Sequence, residues 1–114
     1  MLSTDSGKFN QVPHNIYTDE SSVIFAHHMN WHINMAVGTL NALDTWSVDH
    51  NVRGHLRFTK DNVRRKLNLN NVDIPKLIEG FLKAGIVTTS GNDIYDIPNW
   101  DENYIFLVED WARK

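Results

Sequence analysis

Between Arg53 and Ile97 the apolar residues change period in a fixed order, and that order limits what the chain can fold into. Leu56 and Phe58 alternate with His55 and Arg57 over residues 54–59, the two-residue period of a half-buried strand. Thr59 is a good N-cap for a helix over residues 60–67, with Val63 and Leu67 pointing inward. A turn through Asn68-Leu69-Asn70-Asn71-Val72 leads to Asp73, a second cap. Pro75 is tolerated in the first helical turn, where its missing N–H would have no partner anyway. Ile74, Leu77, Ile78, Phe81 and Leu82 then recur at i, i+3, i+4, i+7 and i+8, an amphipathic stripe that Gly85 terminates. Ile86-Val87 and Ile94–Ile97 flank Ser90-Gly91-Asn92-Asp93, which reads as a hairpin. A lone hairpin and two short helices cannot bury their apolar faces separately, so the pieces must close on each other.

Strand, helix, turn, helix and hairpin is the winged-helix order. The sequence predicts an α+β, mainly α chain: a winged helix-turn-helix with a long first helix and a C-terminal β-hairpin wing. The long helix is expected over roughly residues 30–48, on the stripe Ile24, Trp31, Met35, Ala36, Leu40, Leu43 and Trp46, with Gly38 marking a close helix contact. Upstream, residues 1–11 read as a loose tail, residues 12–17 as a short extended piece and residues 18–22 as a helix-start cluster. The organisation expected is an N-terminal extension over 1–20, one domain over 21–103 and an apolar tail over 104–114. That tail contains Tyr104-Ile105-Phe106-Leu107-Val108, which must be buried or make a homodimer contact.

One domain is what 114 residues allow, and 41% hydrophobic content with twelve aromatic residues can supply its core. There is no Cys, which excludes disulfides and thiolate zinc sites. No apolar run is long enough for a membrane span and no signal-peptide pattern opens the chain, so a cytoplasmic protein without membrane contact is expected. The net charge of −3 conceals polarity: residues 53–83 hold eight basic and three acidic residues, a local +5 in an otherwise acidic chain. Nucleic-acid binding follows local potential rather than the sum.

From that segment Arg53, Arg57, Lys60, Arg64 and Arg65 are the candidate phosphate contacts, and Lys76 and Lys83 the candidate groove contacts on the recognition helix. The outward positions of that helix are expected to be Lys76, Glu79, Gly80 and Lys83, a poor set for reading bases, which favours Arg, Asn and Gln as well as Lys. The wing tip carries no Lys or Arg, so the alternative is a protein–protein interaction module that docks on a host or phage factor. His28 and His32 stand at i, i+4 with His27 adjacent, yet no third ligand follows at a diagnostic spacing, and no metal is expected. Asp96, Asp101 and Glu102 read as a solubilising acidic cluster. Nucleophile, P-loop and dinucleotide motifs are missing, so neither enzymatic activity nor a cofactor is expected.

Phe9-Asn10-Gln11-Val12-Pro13 with Ile16-Tyr17 resembles the opening of the N-terminal winged-helix domains of phage and plasmid replication proteins. Gly54 to Thr59, Asp61 to Leu67, Phe81 to Ile86, and Ile97-Pro98-Asn99-Trp100 are similar to the strand, helices and wing closure of the replisome-organiser and DnaD-like members. The resemblance implies a double-stranded DNA-binding domain acting in replication or its regulation. Full-length members of those families continue into a helicase-recruiting region, so this chain reads either as a small stand-alone protein or as an excised domain.

Overall fold

Asn30 decides the architecture of the first third of the chain. The computed structural model describes residues 19–113, so the expectations for the first eighteen residues and for Lys114 lie outside the described residues. The helix expected over residues 30–48 is α2 (Ile33–Ser47), and the stripe upstream of it belongs to a separate helix, α1 (Asp19–Met29). Asn30 takes the left-handed conformation at φ 61°, and the Trp31 N–H folds back onto the Ala26 carbonyl at 2.9 Å. Asn tolerates that conformation better than most residues, which makes it a helix terminator. His32 then restarts the helix, its Nδ1 accepting the Asn34 N–H at 3.1 Å. The break lets the two segments pack on one another, burying Phe25, Ala26 and Met29 with Ala36, Leu40 and Leu43. Met35, expected on the buried stripe, is 46% exposed as a result.

After α2 come β1 (His55–Leu56), α3 (Lys60–Lys66), α4 (Ile74–Lys83), β2 (Thr88–Thr89), β3 (Tyr95–Asp96), α5 (Trp100–Asn103) and α6 (Ile105–Arg113). The class is α+β and mainly helical, with one three-stranded antiparallel sheet in the order β1–β3–β2. His55 pairs with Asp96 and Leu56 with Tyr95, while Thr88 and Thr89 take the other edge of the same two residues. The strands are shorter than the apolar pattern suggests, because Phe58, Ile86 and Val87 are buried as core side chains outside the ladder.

Both expected caps form: Thr59 Oγ1 accepts the Asn62 N–H and Asp73 Oδ1 the Lys76 N–H, each at 3.1 Å. Leu77 and Phe81 of α4 reach the core, where Phe81 stacks on Phe25 with ring centroids 4.7 Å apart. Gly80 is not an outward position. It is buried against α1, where a Cβ would sit 3.0 Å from the His28 ring and 3.1 Å from Phe25. The close helix approach that Gly38 suggested belongs to Gly80 instead, since nothing stands within 4 Å of a Cβ at Gly38.

A second joint fastens the sheet and the C-terminal helices to the end of α2. Gly54 donates to the Ser47 carbonyl at 3.0 Å and accepts from the Ile97 N–H at 3.1 Å. Its φ is +80°, and a Cβ there would fall 2.6 Å from Trp100 Cγ. Only glycine fits both demands. Trp100 in turn donates from Nε1 to Ser47 Oγ at 3.2 Å, and Ser47 Oγ donates to the Asp44 carbonyl at 2.6 Å. Tyr104 donates its hydroxyl to the Asp44 carboxylate, and burial followed by that partner pushes its phenol well above the ordinary tyrosine range. No helix among the described residues is long and apolar enough to cross a membrane.

Candidate nucleic-acid interface

The seven candidate cations divide among three places. The densest is α3, with Lys60, Arg64, Arg65 and Lys66 against the single acid Asp61, a charge of +3 from exposed side chains on a helix of about two turns. Thr59 starts this helix, and Asn62 Nδ2 donates to the Arg57 carbonyl at 3.0 Å, tying the exposed Arg57 to the first turn. Arg57 and the α3 cations are therefore held on neighbouring backbone. Lys60 and Arg64 also line a small cleft of about 140 Å³ with Asn70, Asn71 and Ile74, beside the turn into α4.

Asp61 accepts from both arginines, from Arg64 at 2.9 Å and from Arg65 at 3.3 Å. The side chains of all three are more than half exposed. Exposed ion pairs of this kind contribute about 0.2–1 kcal/mol, so they orient the guanidinium groups without locking them away from a phosphate. Two positive charges against one carboxylate leave a surplus in any case.

Arg53 stands apart. Its guanidinium lies 4.9 Å from the centre of the Trp111 ring, and its Nε donates to the His50 carbonyl at 3.1 Å. The His50 ring lies tilted against the same indole, with centroids 4.9 Å apart. A cation–π contact with a backbone hydrogen bond gives Arg53 a structural task, anchoring α6, that a phosphate contact would compete with. No pattern around residue 53 signals this partner, since it comes from the far end of the chain.

Lys76 and Lys83 are both exposed on α4, two turns apart. Lys76 sits in the first turn, near the α3 group in sequence, whereas Lys83 lines a groove with Val23, Ile24, His27 and His28 of α1. The outward face of α4 holds no Arg, Asn or Gln. The hairpin tip, Ser90 to Asp93, is exposed and uncharged apart from Asp93.

The histidines and acids settle differently from their sequence grouping. The turn at Asn30 puts His28 and His32 on separate helices, so they form no i, i+4 ladder. Glu79 Oε1 stands 3.3 Å from the buried Nε2 of His28 but off the hydrogen-bond direction, leaving that nitrogen an ionic neighbour and no hydrogen-bond partner. Asp96 is not simply solubilising: it meets His55 Nδ1 at 2.6 Å across the sheet, fixing β1 to β3. Among the described residues no group of three or more His, Asp or Glu side chains converges as a metal site.

No family model, curated protein or solved structure matches this chain.

Proposed function

We propose that the chain is a winged-helix module that binds double-stranded DNA through phosphate contacts centred on α3, with little base reading. The order strand, two helices and a hairpin, with the first strand paired to the last, supports the fold. The observation that carries the function is the +3 charge of α3, held beside Arg57 and left in solvent. Arg57, Lys60, Arg64 and Arg65 hold the backbone, and Lys76 at the start of α4 extends the contact. Arg53 is assigned to the Trp111 anchor instead, and Lys83 to the far end of α4. With only lysines available on the outer face of α4, sequence discrimination is weak. The resemblance to phage and plasmid replication proteins supports a place in DNA replication or its control.

Fluorescence anisotropy with labelled duplexes tests this reading. Micromolar affinity at low salt is expected, similar for unrelated duplex sequences and falling steeply as salt rises. Alanine at any one of Lys60, Arg64 or Arg65 is expected to lower the slope of log affinity against log salt by about 0.9. Absence of binding at micromolar protein, or affinity indifferent to salt, overturns it.

The second reading is a protein-docking module, favoured by a hairpin tip that carries Asp93 and no Lys or Arg, and by exposed apolar side chains away from α3, Phe106 above all at 81% exposure. Partners from a host lysate retained after nuclease treatment, with no duplex binding in the anisotropy experiment, would favour it over DNA.

A further inference from the structure

Two exposed apolar features on separate elements carry opposite charges at their edges. One is a groove of about 550 Å³ between α1 and α4, lined by Val23, Ile24, His27, His28 and Lys83. Val23 is 57% exposed there, and Leu82, next to Lys83 in α4, is 39% exposed. Lys83 forms no ion pair among the described residues, and the Glu79 carboxylate one turn back faces His28. The rim therefore offers the Lys83 ammonium, unpaired among the described residues, while Glu79 is turned to His28.

The other is a knob at the start of α6, where Phe106 is 81% and Ile105 44% exposed. Fully burying the phenyl ring of Phe106 would take its apolar surface out of water, which favours association. Glu109 follows Phe106 by three positions, on the same side of the helix, and forms no ion pair among the described residues. Asp110 is already engaged by Arg113 at 3.7 Å. Among the described residues the knob therefore presents an aromatic ring with one unpaired carboxylate, and the groove an apolar floor with one unpaired ammonium. In its own copy the knob is not in the groove, as its exposure shows: Tyr104, just before α6, is bound to Asp44 of α2, and Trp111 of α6 packs against His50 and Arg53 in the turn after α2.

We propose that the chain associates head to tail with a second copy of itself, Phe106 of one seated between α1 and α4 of the next, and Glu109 facing Lys83. Such a contact joins two different surfaces. Each added copy keeps one knob and one groove open, so assembly grows with concentration unless the rotation closes a ring. The inference is independent of DNA binding, since neither surface includes α3.

The test uses two variants at exposed positions, Phe106→Glu and Val23→Glu, each checked by circular dichroism for the wild-type spectrum. Light scattering after size exclusion is expected to show concentration-dependent association of the wild-type chain, and monomers for each variant alone. Mixing the two variants is the decisive step: one retains a groove and the other a knob, so a one-to-one heterodimer that grows no further is expected. Lys83→Glu is expected to weaken association about tenfold, and pairing it with Glu109→Lys in the same chain to restore it. A wild-type chain that stays monomeric at several hundred micromolar overturns the proposal and leaves both surfaces to other partners. Association that survives either single variant, or fails to reappear in the mixture, overturns it as well.

Discussion

Gly54 and Tyr104 show how single side chains hold the C-terminal half to α2. At Gly54 the backbone needs φ +80° and Trp100 leaves no room for a Cβ. Gly54→Ala is therefore expected to cost about 2–4 kcal/mol, from overpacking and backbone strain together, measured by urea unfolding. A loss below about 0.5 kcal/mol would mean that Trp100 moves aside without consequence. Tyr104 gives a pH signature. Its phenol loses its proton less readily in the folded chain than in the unfolded one, chiefly through burial and then through Asp44. The stabilisation is complete below the ordinary tyrosine pKa near 10 and declines as pH rises beyond it. Unfolding free energy followed from pH 8 to 11 should fall more steeply for the wild type than for Tyr104→Phe. Parallel curves would show that the hydroxyl ionises equally in both states. The sequence marks Gly54 as a strand opener and Tyr104 as a buried aromatic. Their partners Trp100 and Asp44 are invisible to it, because both contacts span long stretches of chain.

Helices and strands were legible wherever local chemistry decides them. The caps at Thr59 and Asp73 and the stripe from Ile74 to Phe81 depend on neighbours within a turn or two, and α3 and α4 follow them closely. The boundary between α1 and α2 is not legible in the sequence, because the stripe runs continuously across Asn30 while the break arises from one left-handed residue and a histidine cap. The two helix glycines were exchanged for a related reason. Both lie in amphipathic patterns, and only packing tells which of them faces another helix. Gly38→Ala, at an exposed position with nothing nearby, is expected to stabilise the chain by up to about 1 kcal/mol through helix propensity. Gly80→Val, whose Cβ and methyls would press on His28 and Phe25, is expected to destabilise it by about 1–3 kcal/mol. Thermal or urea melts of the two variants check the pair, and shifts of the same sign would contradict this assignment of the α1–α4 contact.

For the whole molecule, the polarity of charge was readable from composition, but its division in space was not. Residues 53–83 carry +5 as a sequence, and folding separates that charge into an exposed group on α3 with Arg57, an arginine stacked on Trp111, and a lysine beside the α1–α4 groove. Consequently Arg53→Ala is expected to loosen α6, costing about 1 kcal/mol, while leaving DNA affinity within about twofold of the wild type. Loss of duplex binding comparable to that of Arg64→Ala would return Arg53 to the interface. The measurement that bears most directly on the α3 surface is a ¹H–¹⁵N correlation spectrum of the chain titrated with duplex DNA at low salt. Amides of Arg57, residues 60–66 and the first turn of α4 are expected to shift together and to return as salt is added, with the hairpin tip at Ser90 to Asp93 unmoved. Shifts confined to α1, α6 and the end of α4, or none at saturating duplex, would contradict the account.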